Sequence, residues 1–195
     1  MSRFICILGG ADLGKEEEFR SIAYDLGKAV ATRGFNMIYG GTQGVQAWVA
    51  RAASAGGSRV LSVTLDSEST STSIIGSQIK VPSLASQMSQ MLHLSDALIV
   101  LPGGLSTLKE VFTIISWADQ NLHKKPLGFL NVNSFYDGML AYLDQIVEQG
   151  CVTWAARNII VSAPTPKLLL NKLQPIPTEP APENRDGKPD TTLHL

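Results

Sequence analysis

The sequence predicts an α/β domain, a doubly wound parallel sheet with helices on both faces. Short apolar runs alternate with longer stretches whose apolar positions recur at helical spacing, which is the cadence of strand–helix–strand units. Three of those runs end in glycine pairs, Gly9-Gly10, Gly40-Gly41 and Gly103-Gly104. In a parallel sheet with right-handed crossovers the strand ends share one edge, so all three turns are expected to face one crevice.

Taken in order, Phe4 to Leu8 is a continuous apolar run closed by Gly9-Gly10, the pattern of a strand buried on both faces. From Glu16 to Thr32, apolar residues at Phe19, Ile22, Ala23, Leu26, Ala29 and Val30 predict a helix, which Gly34 terminates. A strand over Asn36 to Tyr39 runs into Gly40-Gly41-Thr42-Gln43-Gly44, and Val45 to Ala55 reads as helix. Val60 to Thr64 is a third strand. The polar, Ser- and Thr-rich stretch Asp66 to Ser77 reads as a mobile loop, and Ile79 to Val81 as a short strand. Leu84 to Leu94 is helical, Ala97 to Leu101 a strand, Leu108 to Asn121 a helix and Leu127 to Leu130 a strand. Phe135 to Gln149 is helical, Asn158 to Val161 is the last strand, and Lys167 to Leu173 is a closing helix.

With 195 residues and 44% hydrophobic content, the chain suffices for one well-buried core. Residues 1–173 are expected to form one domain. From Gln174 to the end the chain turns to Pro, Glu, Asn, Asp and Lys, too little apolar surface to offset ordering entropy, and is expected to be a disordered tail. Sixteen Lys and Arg against seventeen Asp and Glu give a net charge of -1, which offers no basic excess for nucleic acid or an anionic membrane. The expected partner is a small molecule. Cys6 and Cys151 stand apart, outside any CxxC or Cys/His cluster, so they read as reduced thiols, with no metal site and no resident cofactor expected. No stretch has the length of a membrane span and no signal segment is legible, which makes the cytoplasm the expected compartment.

The residues that carry chemistry follow the strand ending at Leu101. In Pro102-Gly103-Gly104-Leu105-Ser106-Thr107 the glycines let backbone N–H groups approach an anion. The helix that follows adds partial positive charge, and Thr107 offers both a cap and a hydroxyl donor. The same spacing also serves a plain βα turn with an ordinary N-cap. Glu110, three residues beyond Thr107, either completes a capping box or points into the crevice toward a bound sugar.

Pro102-Gly103-Gly104-Leu105-Ser106-Thr107-Leu108-Lys109-Glu110 resembles the PGGxGTxxE motif of the Lonely Guy (LOG) family, the cytokinin riboside 5′-monophosphate phosphoribohydrolases once labelled possible lysine decarboxylases. Ser95-Asp96-Ala97, Ser116-Trp117-Ala118, His123-Lys124-Lys125-Pro126, Leu130-Asn131-Val132 and Val161-Ser162-Ala163-Pro164 are similar to further family words, so the likeness spans about residues 3 to 173. It implies a Rossmann-like domain, usually a homodimer, that hydrolyses the N-glycosidic bond of a nucleoside 5′-monophosphate.

By the same resemblance, Gly103, Gly104, Ser106 and Thr107 contact phosphate and Glu110 serves the ribose and the departing base. Gly9, Gly10 and Ala11, with Gly40, Gly41 and Thr42, line the cleft. Three positions depart from the pattern. Ser106 stands where the family has glycine, the second glycine loop is one residue shorter, and Gln87 and Met88 occupy the places of an arginine and lysine pair used in catalysis and binding. A glutamine amide does not supply the fixed charge and fork of an arginine, so activity on the usual substrate is expected to be weak. The alternative functions are a non-catalytic nucleotide or phosphorylated-cofactor binder, or an enzyme of this fold acting on a different small molecule. Met88, Met91, Leu92, Phe112, Ile115 and Trp117, on the helices Leu84 to Leu94 and Leu108 to Asn121, are the expected apolar dimer surface.

Overall fold

A computed structural model describes residues 3–10, 16–40, 44–67 and 74–173. Ala11, Gly41, Thr42, most of the 66–77 segment's polar middle and the tail from Gln174 lie outside the described residues.

Among the described residues, the strands β1 (Phe4–Leu8), β2 (Asn36–Gly40), β3 (Val60–Leu65), β4 (Ser77–Val81), β5 (Ala97–Val100), β6 (Leu127–Leu130) and β7 (Ile160–Ala163) pair in parallel in one sheet. Their order is β4-β3-β2-β1-β5-β6-β7. The chain winds outward from β1 to β4, returns to place β5 on the other side of β1, and winds out again. The order therefore reverses between β1 and β5, and there the crevice beyond the carboxyl ends opens. Gly9-Gly10 and Pro102-Gly103-Gly104 follow those two strands.

Strand side chains alternate between two cores. Ile5, Ile7, Met37, Tyr39, Ile99 and Leu101 pack under α1 (Glu16–Thr32), α2 (Val45–Ala55) and α7 (Pro166–Lys172). Cys6, Leu8, Ile38, Leu98, Val100 and Phe129 pack under α3 (Leu84–Leu94), α4 (Leu105–Asp119) and α5 (Asp137–Glu148). The helices α1 and α2 approach so closely that a Cβ on Gly27 would lie 2.6 Å from that of Ala52, so only glycine fits there.

Several boundaries differ from the sequence reading. The loop expected to reach Ser77 gives way to β4 at that residue, where Ser77 to Val81 pairs along β3. The last strand runs over Ile160–Ala163, because Thr153 caps a short helix, α6 (Trp154–Asn158), that consumes the residues expected to start it. A 3-10 turn over Val132–Ser134, with Asn133 and Ser134 at positive φ, delays α5 to Asp137. The largest consequence is at α4, which starts at Leu105 rather than Leu108. Ser106 and Thr107 thus belong to the first turn of a helix, and Gly104 is its N-cap.

Candidate active site

Two helices begin at the glycine turns, and both begin on glycine. At α2 the N-cap Gly44 has φ 81°, a conformation that favours glycine, and it gives no side-chain cap. At α4 the N-cap Gly104 likewise gives none. By contrast Ser83, Thr153 and Thr165 cap α3, α6 and α7 through their hydroxyls. The first amides of a helix have no intrahelical acceptor, so α4 presents its N1 to N3 donors and the positive end of its dipole to the crevice.

Thr107 does not act as the expected cap. Its side chain is folded into the turn, only 1% exposed, and its Oγ1 is buried without a hydrogen-bond partner. A buried hydroxyl with no partner costs on the order of 1–3 kcal/mol, and the Ser62 hydroxyl on β3 is the other such atom among the described residues. The capping box suggested by Thr107 and Glu110 is therefore not formed. Gly103 packs directly against Thr107, where a Cβ would collide with Oγ1 and lie 2.9 Å from the Gly10 backbone nitrogen. The turns after β1 and β5 thus meet at Gly10, Gly103 and Thr107. Ser106 is exposed at the rim beside Gly104.

Glu110 follows one helical turn later. It is half-buried, and burial pushes its carboxyl up to about 7, only partly offset by the neighbouring Lys109 ammonium. Its charge adds to burial in pushing up the thiol of Cys6 on β1. A carboxyl held near neutrality changes protonation where biological acid–base chemistry runs.

On the other wall stands α3. The Gln87 amide donates from Nε2 to the Val63 carbonyl at 2.7 Å, and lies beside Gly40 together with the Met91 sulfur. Gly40 is thereby brought to the α3 wall, while Gly9 packs on Leu101 and Gln46. Met88 is 8% exposed and belongs to the core. Arg51 and Arg59 do not substitute for a cation here. Arg51 lies over Trp48, which Arg20 also covers, and Arg59 lies over Phe4 at the amino end of β1.

Two residues that the sequence reading did not single out hold this edge together. Buried Gln46 donates from Nε2 to the Gly9 carbonyl at 2.8 Å and accepts from the Gly40 N–H at 3.1 Å. Tyr136, 1% exposed, donates its phenol to the Leu101 carbonyl at 2.7 Å. Asn131 fixes Tyr136 by accepting from its N–H at 2.7 Å, and Phe129 and Phe135 pack edge-on against its ring. Gln46 follows a glycine-rich run in the sequence, but its partners are backbone atoms that no sequence pattern names.

Residues 46–173 match the family described as "Possible lysine decarboxylase". A protein of Oryza sativa subsp. japonica named "Probable cytokinin riboside 5'-monophosphate phosphoribohydrolase LOGL2" is 38% identical over 179 residues, covering 89% of this chain and 73% of the rice protein. The chain belongs to this family. A second LOG relative, "Cytokinin riboside 5'-monophosphate phosphoribohydrolase LOG3" of Arabidopsis thaliana, is 37% identical over 88% of this chain and 82% of its own. Among solved structures, the molybdenum cofactor carrier protein of Chlamydomonas reinhardtii superposes with a TM-score of 0.66 at 20% identity, covering 89% of this chain and 98% of that one. That likeness is one of fold, the Rossmann-like α/β fold.

Within the LOG frame, two of the family words prove to be structural. Asp96 accepts from the Phe4 N–H at 2.7 Å and returns its own N–H to the Phe4 carbonyl at 2.8 Å, which locks β5 to the start of β1. His123 sits between the Ile114 carbonyl and the Lys125 N–H, while the Lys125 ammonium bonds the Leu92 and His93 carbonyls at the end of α3. Burial keeps His123 below its ordinary pKa, and with Nδ1 accepting from the Lys125 N–H the ring donates from Nε2 to the Ile114 carbonyl. Among the described residues no group of three or more His, Cys, Asp or Glu gathers at metal-binding range, and no helix is long and apolar enough to cross a membrane.

Proposed function

We propose that the protein hydrolyses the N-glycosidic bond of nucleoside 5′-monophosphates of the cytokinin riboside type, releasing free base and ribose 5-phosphate. The observation that carries this reading is the buried, unpartnered Thr107 hydroxyl beside the uncapped first turn of α4, with Glu110 one turn further on. The relatives named above support it.

In this reading the amides of Leu105, Ser106 and Thr107 and the Thr107 hydroxyl hold the phosphate, and Gly103 and Gly104 allow its approach. Glu110 sits below the ribose. As the bond from the anomeric carbon to the base nitrogen breaks, positive charge builds on the sugar, and the ionised carboxylate stabilises it and orients the attacking water. The water oxygen bonds to the anomeric carbon, its proton passes to Glu110, and the base leaves with the electron pair of the broken bond and takes up a proton. Gly9, Gly10 and Gly40 form the floor, with Ala11, Gly41 and Thr42 assigned to it by the family pattern.

Gln87 sets the expected rate. Its neutral amide gives no charge to the transition state, so turnover of the usual substrate is expected to be low. The same observation favours a second reading, a binder of a nucleotide or phosphorylated cofactor, or an enzyme for another small molecule. Incubation with a panel of nucleoside monophosphates, with free base read by chromatography, separates the two. Release of base supports hydrolysis, and tight binding of a panel member without release supports the binder.

A homodimer is part of the proposal, on revised grounds. Met88, Met91, Leu92 and Ile115 lie in the chain's own core, and Trp117 packs against it, so they are not the surface expected of them. Phe112, 39% exposed, remains, joined by Leu84 and Leu105 at the starts of α3 and α4. Light scattering at micromolar concentration is expected to give twice the chain mass. Residence in the cytoplasm is supported by the two cysteines, both free thiols.

A further inference from the structure

Gln46 stands at the first turn of α2, only 6% exposed, with each end of its amide spent on a different strand. The Gly9 carbonyl and the Gly40 N–H close two adjacent parallel strands, at points where the ladder between them has run out. Burying either group unpaired is costly. One side chain satisfies both and ties the ends of β1 and β2 together. The Val45 N–H adds a third tie by donating to the Gly10 carbonyl at 3.2 Å. The first turn of α2 is thus bolted to the peptide on either side of Gly10.

Gly10 is also the residue whose nitrogen packs on Gly103, the same glycine whose other neighbour is the unpartnered Thr107 hydroxyl. A shift of the β1 turn away from α2 would carry the Gly10 amide with it, and Gly103 would lose the neighbour that sets its distance from Thr107. Gln46 spends both ends of its amide on Gly40 and Gly9, not on the α4 turn. We propose that Gln46 is the positioning residue of the phosphate site: by bridging Gly9 and Gly40 it holds the β1 turn against the β5–α4 turn and so fixes the geometry in which a phosphomonoester is bound. The proposal rests on the phosphate reading given above.

The test compares adenosine 5′-monophosphate with adenosine by calorimetric titration, using the full chain. Gln46→Leu keeps most of the volume and removes both polar ends. The affinity ratio of monophosphate to adenosine is expected to collapse about tenfold, the equivalent of about 1.4 kcal/mol, with adenosine binding within twofold of the native protein. Equal loss for both ligands, or loss for neither, would assign Gln46 to the fold alone and overturn the proposal. Should Gln46→Leu not fold, Gln46→Asn carries the same expectation, since its amide is one methylene too short to span both groups. Thr107→Val serves as the control on the phosphate reading. If it collapses the ratio and the Gln46 variants do not, only the role of Gln46 fails. If neither changes the ratio, or the native protein binds adenosine equally well, the phosphate reading fails and Gln46 falls with it.

Discussion

The two edges of the sheet are built on opposite rules. At the amino edge polar groups are closed on one another: Asp96 with Phe4, Lys125 with the end of α3, and His123 between Ile114 and Lys125. At the carboxyl edge, between β1 and β5, a helix begins without a cap, a threonine hydroxyl is buried without a partner, and a carboxyl is held near neutrality. Folding alone would favour the first arrangement everywhere. In the proposed reading the second persists because a bound phosphomonoester completes it, which is how a site would differ from a scaffold in the same domain.

The largest expected effect tests whether Glu110 is the chemical centre of the open edge. Glu110→Gln keeps the shape and removes the ionisable carboxylate, and base release is expected to fall on the order of a hundred- to a thousandfold. Stopped assays on cytokinin riboside and adenosine monophosphates measure it. Unchanged turnover in the variant would move the chemistry elsewhere. Next in size is Gln87→Arg, expected to raise turnover on the order of tenfold to a hundredfold by returning a cation to the α3 wall. Met88 is left unchanged, because it is buried and a lysine there would desolvate its charge. Robust turnover by the native protein, with no gain on Gln87→Arg, would show that the neutral amide is no handicap.

Much of this contrast was legible in the sequence, and the remainder had physical reasons to be hidden. Glycine pairs after apolar runs mark the carboxyl edge, and the Pro102 to Glu110 motif carries its strand-to-helix context with it. The start of α4 differs because Thr107 and Glu110 spell a capping box in sequence, whereas the N-cap is Gly104, which has no side chain to signal it. The residues Gln46 and Tyr136 were invisible because their partners are carbonyls and amides, which every residue owns. Likewise Met88, Met91, Leu92 and Ile115 read as surplus apolar surface, since periodicity along one helix does not reveal how deep the sheet beneath it lies.

Glu110 also links the open edge to stability. Its folded pKa is raised above the ordinary 4.5 to about 7, so below the ordinary value both states are protonated and nothing is lost. As pH rises from 4.5 to 7 the unfolded chain ionises first, and the native state loses stability over that window, on the order of 2 kcal/mol. Glu110→Gln should abolish this loss and gain on the native protein as pH rises. Denaturant melts at pH 4.5, 5.5 and 7 read it. A constant difference between the two proteins across these values would mean that Glu110 is solvated.

The smallest expected effects are the most discriminating, because they differ in sign. Asp96→Ala removes the acceptor of the Phe4 N–H at the closed edge and should cost about 1–2 kcal/mol of stability. Affinity for a nucleoside monophosphate should not change, since Asp96 lies at the far end of β5 from the glycine turn. Thr107→Val keeps the shape of the side chain under Gly103 and deletes a hydroxyl that has no partner, so it should raise stability by about 1 kcal/mol while weakening monophosphate binding. A residue that serves the fold cannot behave in this way, for its removal lowers stability. Thermal melts with and without adenosine 5′-monophosphate report both quantities at once, the second through the ligand-induced shift. If Thr107→Val instead melts lower and binds as before, its hydroxyl is satisfied within the protein, and the distinction between the two edges is lost at the atom on which it rests most.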